Sequence, residues 1–328
     1  MSTVTDRMET SRRDYLKRLL TPFWLRPESA LWYAHEAFLA SKALGPMEGR
    51  SLELGSMDGT ATFVMLGGEF SPEFDVYGNV KWNTDSKRWS SLEASDYYDT
   101  VKDGGTQVAI VQRSARQFDT GLVWKNTHAE KAARLGIYKN IVNCDPNGPL
   151  KALKDADYDC IWGPNLYWID NLEGLLREAV RVLKPGGKFV TVVPDRAALA
   201  MMLHNLKTEA DPNWIKDLDR GRFENISRQA RTLQEWKLLF TNAGLKVQRH
   251  ETFLPKPVFS VNDIGLRPMF PVFMDIYETL KKGDAADLAR IKKSWVDTCF
   301  HFLAPLCDVA WMERAGYPKV WHLFELSR

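Results

Sequence analysis

The chain has 328 residues, 45% hydrophobic and 26% charged, enough for a sizeable core in one large domain with additions and unlike a disordered chain. A formal charge of +2 excludes a strong electrostatic pull toward nucleic acid or an anionic membrane. No apolar run is long enough to span a bilayer, and the four cysteines form no C-x-x-C pair, so reduced buried thiols in a cytoplasm are the expectation.

Residues 1–20 are polar and basic and read as a helix that frays at its start. An aromatic-rich helix follows, with Pro27 suited to its first turn and Gly45 to its stop. It either caps a ligand site or packs on the sheet. Residues 51–54, Ser-Leu-Glu-Leu, form the first core strand and run into Gly55-Ser56-Met57-Asp58-Gly59. A parallel strand that ends in a glycine turn before a helix makes a ligand site at its carboxyl end. The dinucleotide fingerprint G-x-G-x-x-G is absent there. Residues 67–119 hold paired Gly, Ser, Asp and aromatics such as Phe74, Trp82, Trp89 and Tyr97. They are too aromatic for a disordered linker and read as an ordered insertion at the rim of the site.

The second strand is placed at 121–124. Thr127 and Glu130 have capping-box spacing for a helix over 129–135, which Gly136 ends. The third strand, 140–143, leads to Cys144-Asp145-Pro146. The fourth, 158–162, leads to Gly163-Pro164-Asn165-Leu166-Tyr167. Asp170 and Glu173 again have capping-box spacing, and Leu172, Leu175, Leu176, Ala179, Val180 and Leu183 recur as one helical stripe. Pro185-Gly186-Gly187 ends that helix, and 188–193 is an apolar, β-branched fifth strand. Residues 199–230 read as helical, reaching over a substrate. Thr232 and Glu235 form a third capping box, for a helix ending at Gly244, and a sixth strand follows at 245–252. Residues 254–316 read as Phe-, Trp- and Met-rich helices forming a lid or a dimer surface, with the last strand at 319–326. Most of the twelve tryptophans are assigned to core and lid packing, a few to an apolar substrate pocket.

The run Val-Leu-Lys-Pro-Gly-Gly at 182–187, with Arg181 before it, resembles the segment that leads into the fifth strand of class I S-adenosylmethionine (SAM)-dependent methyltransferases. Glu53, Gly55 and Gly59 match the acid and two of the three glycines of that family's first motif, while Met57 stands where the middle glycine is usual. The resemblance covers roughly 50–244, apart from the insertion. It implies an α/β fold: a doubly wound, mostly parallel seven-stranded sheet in the order 3-2-1-4-5-7-6, its last strand antiparallel. The expected parts are an N-terminal helical cap (1–48), a SAM-binding Rossmann-like core (49–253, with the insertion at about 67–119), a C-terminal helical lid (254–316) and the last core strand (317–328).

For the site, the resemblance implies that Glu53, Gly55, Ser56, Met57 and Gly59 line the methionine end of SAM. Asp145, with Pro146, holds the adenine, the alternative being a loop aspartate that caps a turn. The family's ribose acid is missing at Val123 or Trp124. Asn126 is its neutral substitute, and Trp124 packs on the adenosine. Gly163, Asn165 and Tyr167 face the methyl end, with Tyr167 and Asn165 the candidates nearest the chemistry. Met57 either points away at negative φ or lies over the methionine tail.

The function implied is methyl transfer from SAM to a small or medium-sized organic acceptor by a cytoplasmic monomer or homodimer, without nucleic acid or a membrane span. The alternatives are a degenerate methyltransferase fold that binds SAM or a partner without catalysis and, less favoured, a nicotinamide-dependent oxidoreductase. His35, His128, His204, His250, His301 and His322 converge on no site that the sequence reveals, and no metal-ligand spacing is present.

Overall fold

The computed structural model of the protein describes residues 10–79, 109–164, 166–205, 219, 222–266 and 269–328. Two helices come first, α1 (Arg12–Leu20) and α2 (Pro27–Leu44). Ser11 and Asp14 close a capping box on α1, and Pro27 opens α2 where its missing N–H costs nothing. Then come β1 (Ser51–Leu54), α3 (Thr60–Met65), β2 (Glu69–Phe70), β3 (Ile110–Gln112), β4 (Phe118–Val123), α4 (Asn126–Leu135), β5 (Tyr138–Asn143) and β6 (Tyr158–Gly163). The order continues with α5 (Leu172–Val182), β7 (Leu183–Pro194), α6 (Ala197–Met201), α7 (Arg222–Gln229), α8 (Leu233–Asn242) and β8 (Lys246–Pro255). Helices α9 (Lys256–Ile264), α10 (Phe270–Leu280), α11 (Ala285–Leu303) and α12 (Val309–Arg314) precede β9 (Lys319–Ser327).

Seven strands form one sheet in the order β5-β4-β1-β6-β7-β9-β8. The short pair β2–β3 stands apart, so in core numbering this is 3-2-1-4-5-7-6, as expected. Strand β1 is central, parallel to β4 on one side and to β6 on the other, with Glu53 opposite Gly121 and Trp162. Strand β9 is antiparallel to both β7 and β8. Alternation along the strands feeds two cores. Cys160, Trp162, Val190, Val192, Trp321 and Leu323 face α1 and α2, while Ile161, Phe189, Val193 and Phe324 face α5 and α8. The helices at 254–316 pack on the N-terminal pair. Asn262 Nδ2 donates to the Glu28 carbonyl (3.2 Å), and Trp295 Nε1 donates to the Trp24 carbonyl (2.7 Å).

Several local expectations need correction. Helix α5 begins one residue late for an Asp170 cap. Asn171 is the cap, accepting from the Gly174 N–H at 3.1 Å, while Asp170 pairs with Arg228. Helix α4 starts at Asn126, so Thr127 and Glu130 lie inside it and its N-terminus has no side-chain cap. Strand β4 begins at Phe118, where the Phe118 N–H donates to the Ile137 carbonyl, so the insertion stops short of 119. The Pro185-Gly186-Gly187 stretch belongs to β7 rather than ending α5, because Arg328 pairs with Gly186 and Gly187 and draws it into the sheet. The Thr232–Glu235 capping box is present as expected. Within the insertion, Trp82, Trp89 and Tyr97 lie outside the described residues, as does much of 199–230.

Candidate functional site

The turn after β1 takes its shape from three residues at positive φ: Gly55 (77°), Met57 (48°) and Gly59 (77°). The Gly55 N–H donates to the Leu122 carbonyl (3.1 Å), tying the turn to β4, and the Gly59 N–H closes it on the Ser56 carbonyl (3.0 Å). Asp58 Oδ1 accepts from the Thr60 N–H at the start of α3 (3.0 Å). A Cβ on Gly55 would enter open space, so the glycine is required by its backbone and not by a neighbour. Met57 holds the left-handed conformation with a full side chain, a costly arrangement for an L residue. The option of negative φ is therefore ruled out.

Across the turn lies α2. Tyr33, Glu36 and Ala37, at helical spacing, meet Glu53, Ser56, Met57 and Asp58 around a small open cavity. Phe23, Met65, Trp162 and Pro164 complete its apolar walls. Helix α2 packs on the sheet and also lines this cavity.

Two buried carboxyls face this cavity. Glu53 accepts from Thr62 Oγ1 on Oε1 (2.7 Å) and from the Tyr138 hydroxyl on Oε2 (2.7 Å). Burial pushes its carboxyl up to about 7, with those two hydrogen bonds pulling the other way. Glu36 accepts a longer bond from Trp32 Nε1 on Oε2 (3.4 Å). Burial pushes it up to about 8, opposed by the Trp32 bond and reinforced by the charge of Glu53. Tyr138, buried beside Glu53, is held well above the usual phenol range by its burial first and by Glu53 next.

Of the residues singled out from the sequence, Glu53, Ser56 and Met57 line the cavity; Gly55 and Gly59 shape the turn beneath it. Trp124 lies just past β4, half-buried against the α5-side core. Asn126 opens α4 and accepts from Asn143 Nδ2. Asp145 is exposed after β5, and its Oδ1 accepts from the Asn147 N–H (2.9 Å) and Nδ2 (3.1 Å). Asn147 in turn accepts from the Asp170 and Asn171 N–H groups before α5, so Asp145 does hold a turn together. Pro146 is buried beside it. Gly163 ends β6, its carbonyl accepting from Thr191 Oγ1 (2.8 Å). Tyr167 packs edge-on to Trp321, with ring centroids 5.6 Å apart, and does not line the cavity. Asn165 lies outside the described residues.

The histidines are scattered. His35 is bound to the Leu306 carbonyl, and burial holds it down at about 3. His322 contacts Asp195 (2.7 Å) and His250 (2.9 Å) on the Phe324 side of the sheet, away from the cavity. Sequence reasoning offered α2 as a cap but did not single out Glu36. The signal was a charged residue on the same helical stripe as Tyr33 and Ala37.

The open sheet, with a ligand turn at the carboxyl end of its central strand, is of the Rossmann-like class. Residues 118–191, from β4 to most of β7, match the family model described as a methyltransferase domain. The matched segment and the sheet order make the chain similar to methyltransferases built on a Rossmann-like sheet. The matched segment does not include the turn that carries Met57.

Similar solved structures include a SAM-dependent methyltransferase from Thiobacillus denitrificans in complex with S-adenosyl-L-homocysteine (17% identity, 89% of this chain and 91% of that one, TM-score 0.43). Another, from Geobacter sulfurreducens with the same ligand, has 15% identity over 89% of this chain and 90% of that one, with a TM-score of 0.42. A third, from Mesorhizobium loti, has 14% identity over 89% and 97%, with a TM-score of 0.40. No curated protein matches the sequence. Among the described residues no helix is long and apolar enough to cross a membrane.

Proposed function

We propose that the cavity between the turn at 55–59 and α2 takes the methionine end of SAM, whose methyl group passes to a small or medium-sized organic acceptor. One observation carries this reading: the cavity lies at the carboxyl end of the central strand and is lined by Glu53, Ser56 and Met57. The adenosine then runs along the carboxyl ends of β4 and β5. Trp124 and Asn126 flank the ribose there, and Asp145 and Pro146 flank the adenine. Gly163 and Tyr167 stand toward the methyl end. In this reading residues 1–48 are the cap, 49–253 the core, 254–316 the lid over the acceptor and 317–328 the closing strand, in a cytoplasmic monomer or homodimer.

The sulfonium already activates the methyl group, so the protein's main task is alignment of donor and acceptor, an effect of about 7–11 kcal/mol in well-oriented systems. A base is needed only where the acceptor atom arrives protonated. The test is calorimetry of the protein with SAM, S-adenosylhomocysteine and NAD. Binding of the first two without NAD is expected; binding of none of them overturns the reading. A second reading, a degenerate fold with a blocked site, is favoured by one feature, the Met57 side chain at the cavity wall. It expects SAM binding only after Met57→Gly.

A further inference from the structure

The described residues around the cavity include three acids, Glu36, Glu53 and Asp58, and no lysine, arginine or histidine. Apolar walls raise the cost of ionising Glu36 and Glu53, and a cation placed against them offsets that cost, so the favoured guest at this spot is a cation. The three acids are not equally free to meet one. Both oxygens of Glu53 are occupied by internal donors, and Asp58 Oδ1 is held by the Thr60 N–H within the turn, its Oδ2 accepting from no described residue. Glu36, only 8% exposed, accepts a single long bond on Oε2, and its Oε1 accepts none from any described residue.

A second polar atom points the same way. Ser56 Oγ is buried at the cavity wall and approaches the Tyr138 hydroxyl without reaching hydrogen-bond geometry with any described group. A buried hydroxyl left open beside an open carboxylate oxygen is the lining of a polar subsite.

We infer that Glu36, on the N-terminal helix, holds the α-ammonium of the donor's methionine tail. The inference rests on the functional reading above and assigns to α2 a positioning role opposite the turn, where Glu53 is committed to Thr62 and Tyr138. It also predicts a proton balance. Near pH 7 the isolated Glu36 carboxyl carries a proton, since burial holds it at about 8. An ammonium brought against it favours the ionised form, and the displaced proton goes to the buffer.

The experiment is SAM titration of the parent and of Glu36→Gln near pH 7, in two buffers of different ionisation enthalpy, beside titration with 5′-deoxy-5′-methylthioadenosine. That nucleoside lacks the amino-acid tail. Glu36→Gln should weaken SAM by about 10–100-fold, the range for a hydrogen bond to a charged group. It should leave the nucleoside within about twofold and abolish the proton release seen with the parent, while Glu36→Asp keeps part of that release. Equal weakening of SAM and the nucleoside would assign Glu36 to the fold and overturn the inference. Unchanged SAM affinity with slower turnover would move Glu36 to the acceptor, which also overturns it. A parent that binds the nucleoside but gains nothing from the tail refutes the subsite alone. A parent that binds neither SAM nor the nucleoside refutes the functional reading and the subsite with it.

Discussion

Replacing Glu36 by Gln in the ligand-free protein removes a carboxyl that the fold keeps from ionising. In the unfolded chain this group titrates at its ordinary value of 4.5; in the folded one burial holds it at about 8. Between those two values the folded protein binds one more proton than the unfolded chain, so stability falls as pH rises. The slope is about 1.4 kcal/mol per pH unit, and the full loss from 4.5 to 8 is about 5 kcal/mol. Below 4.5 both states are protonated and the parent keeps its full stability; above 8 both are ionised and the loss is complete. Gln does not titrate. Urea unfolding of parent and variant at pH 5.5 and pH 7.5 should therefore show the stability difference moving in favour of Glu36→Gln by about 3 kcal/mol. Glu53 titrates in the same window but is present in both proteins and cancels to first order. A difference that stays constant across the two pH values would mean that Glu36 is not held neutral, and the reasoning would fail.

Three further outcomes can be measured separately. Tyr138→Phe leaves Glu53 Oε2 without its 2.7 Å donor in a buried site and should cost about 1.5–3 kcal/mol in chemical unfolding, with a null effect arguing against that bond. Asp145→Asn keeps a side-chain oxygen for the Asn147 turn but removes the charge. It should unfold like the parent yet bind SAM more weakly, by about 1 kcal/mol, and unchanged affinity would leave Asp145 with the turn role alone. Met57→Gly relieves a side chain at φ 48° and should stay within about 1 kcal/mol of the parent, whereas β-branched Met57→Val should lose about 1–3 kcal/mol; equal stability of the two variants would contradict the observed backbone.

The alternation of strands and helices, the amphipathic stripe of α5 and the Thr232–Glu235 cap were legible because each rests on spacing within a few residues of chain. Element ends were less legible. Whether Asp170 or Asn171 caps α5 depends on where that helix starts, and Asn147 helps fix this by accepting from both N–H groups across more than twenty residues of sequence. The glycine turn marked the site because a ligand turn at a strand's carboxyl end leaves its signature in consecutive residues. The sequence by itself therefore determined the sheet and the position of the glycine turn, and its family resemblance the strand order. Tertiary structure alone decided that α2 returns over that turn, that Tyr138 commits Glu53 to the interior, and that Glu36 is buried with one carboxyl oxygen unoccupied. Those contacts join residues far apart in sequence, and burial raises the proton affinity of both acids only once the sheet and α2 have closed around them.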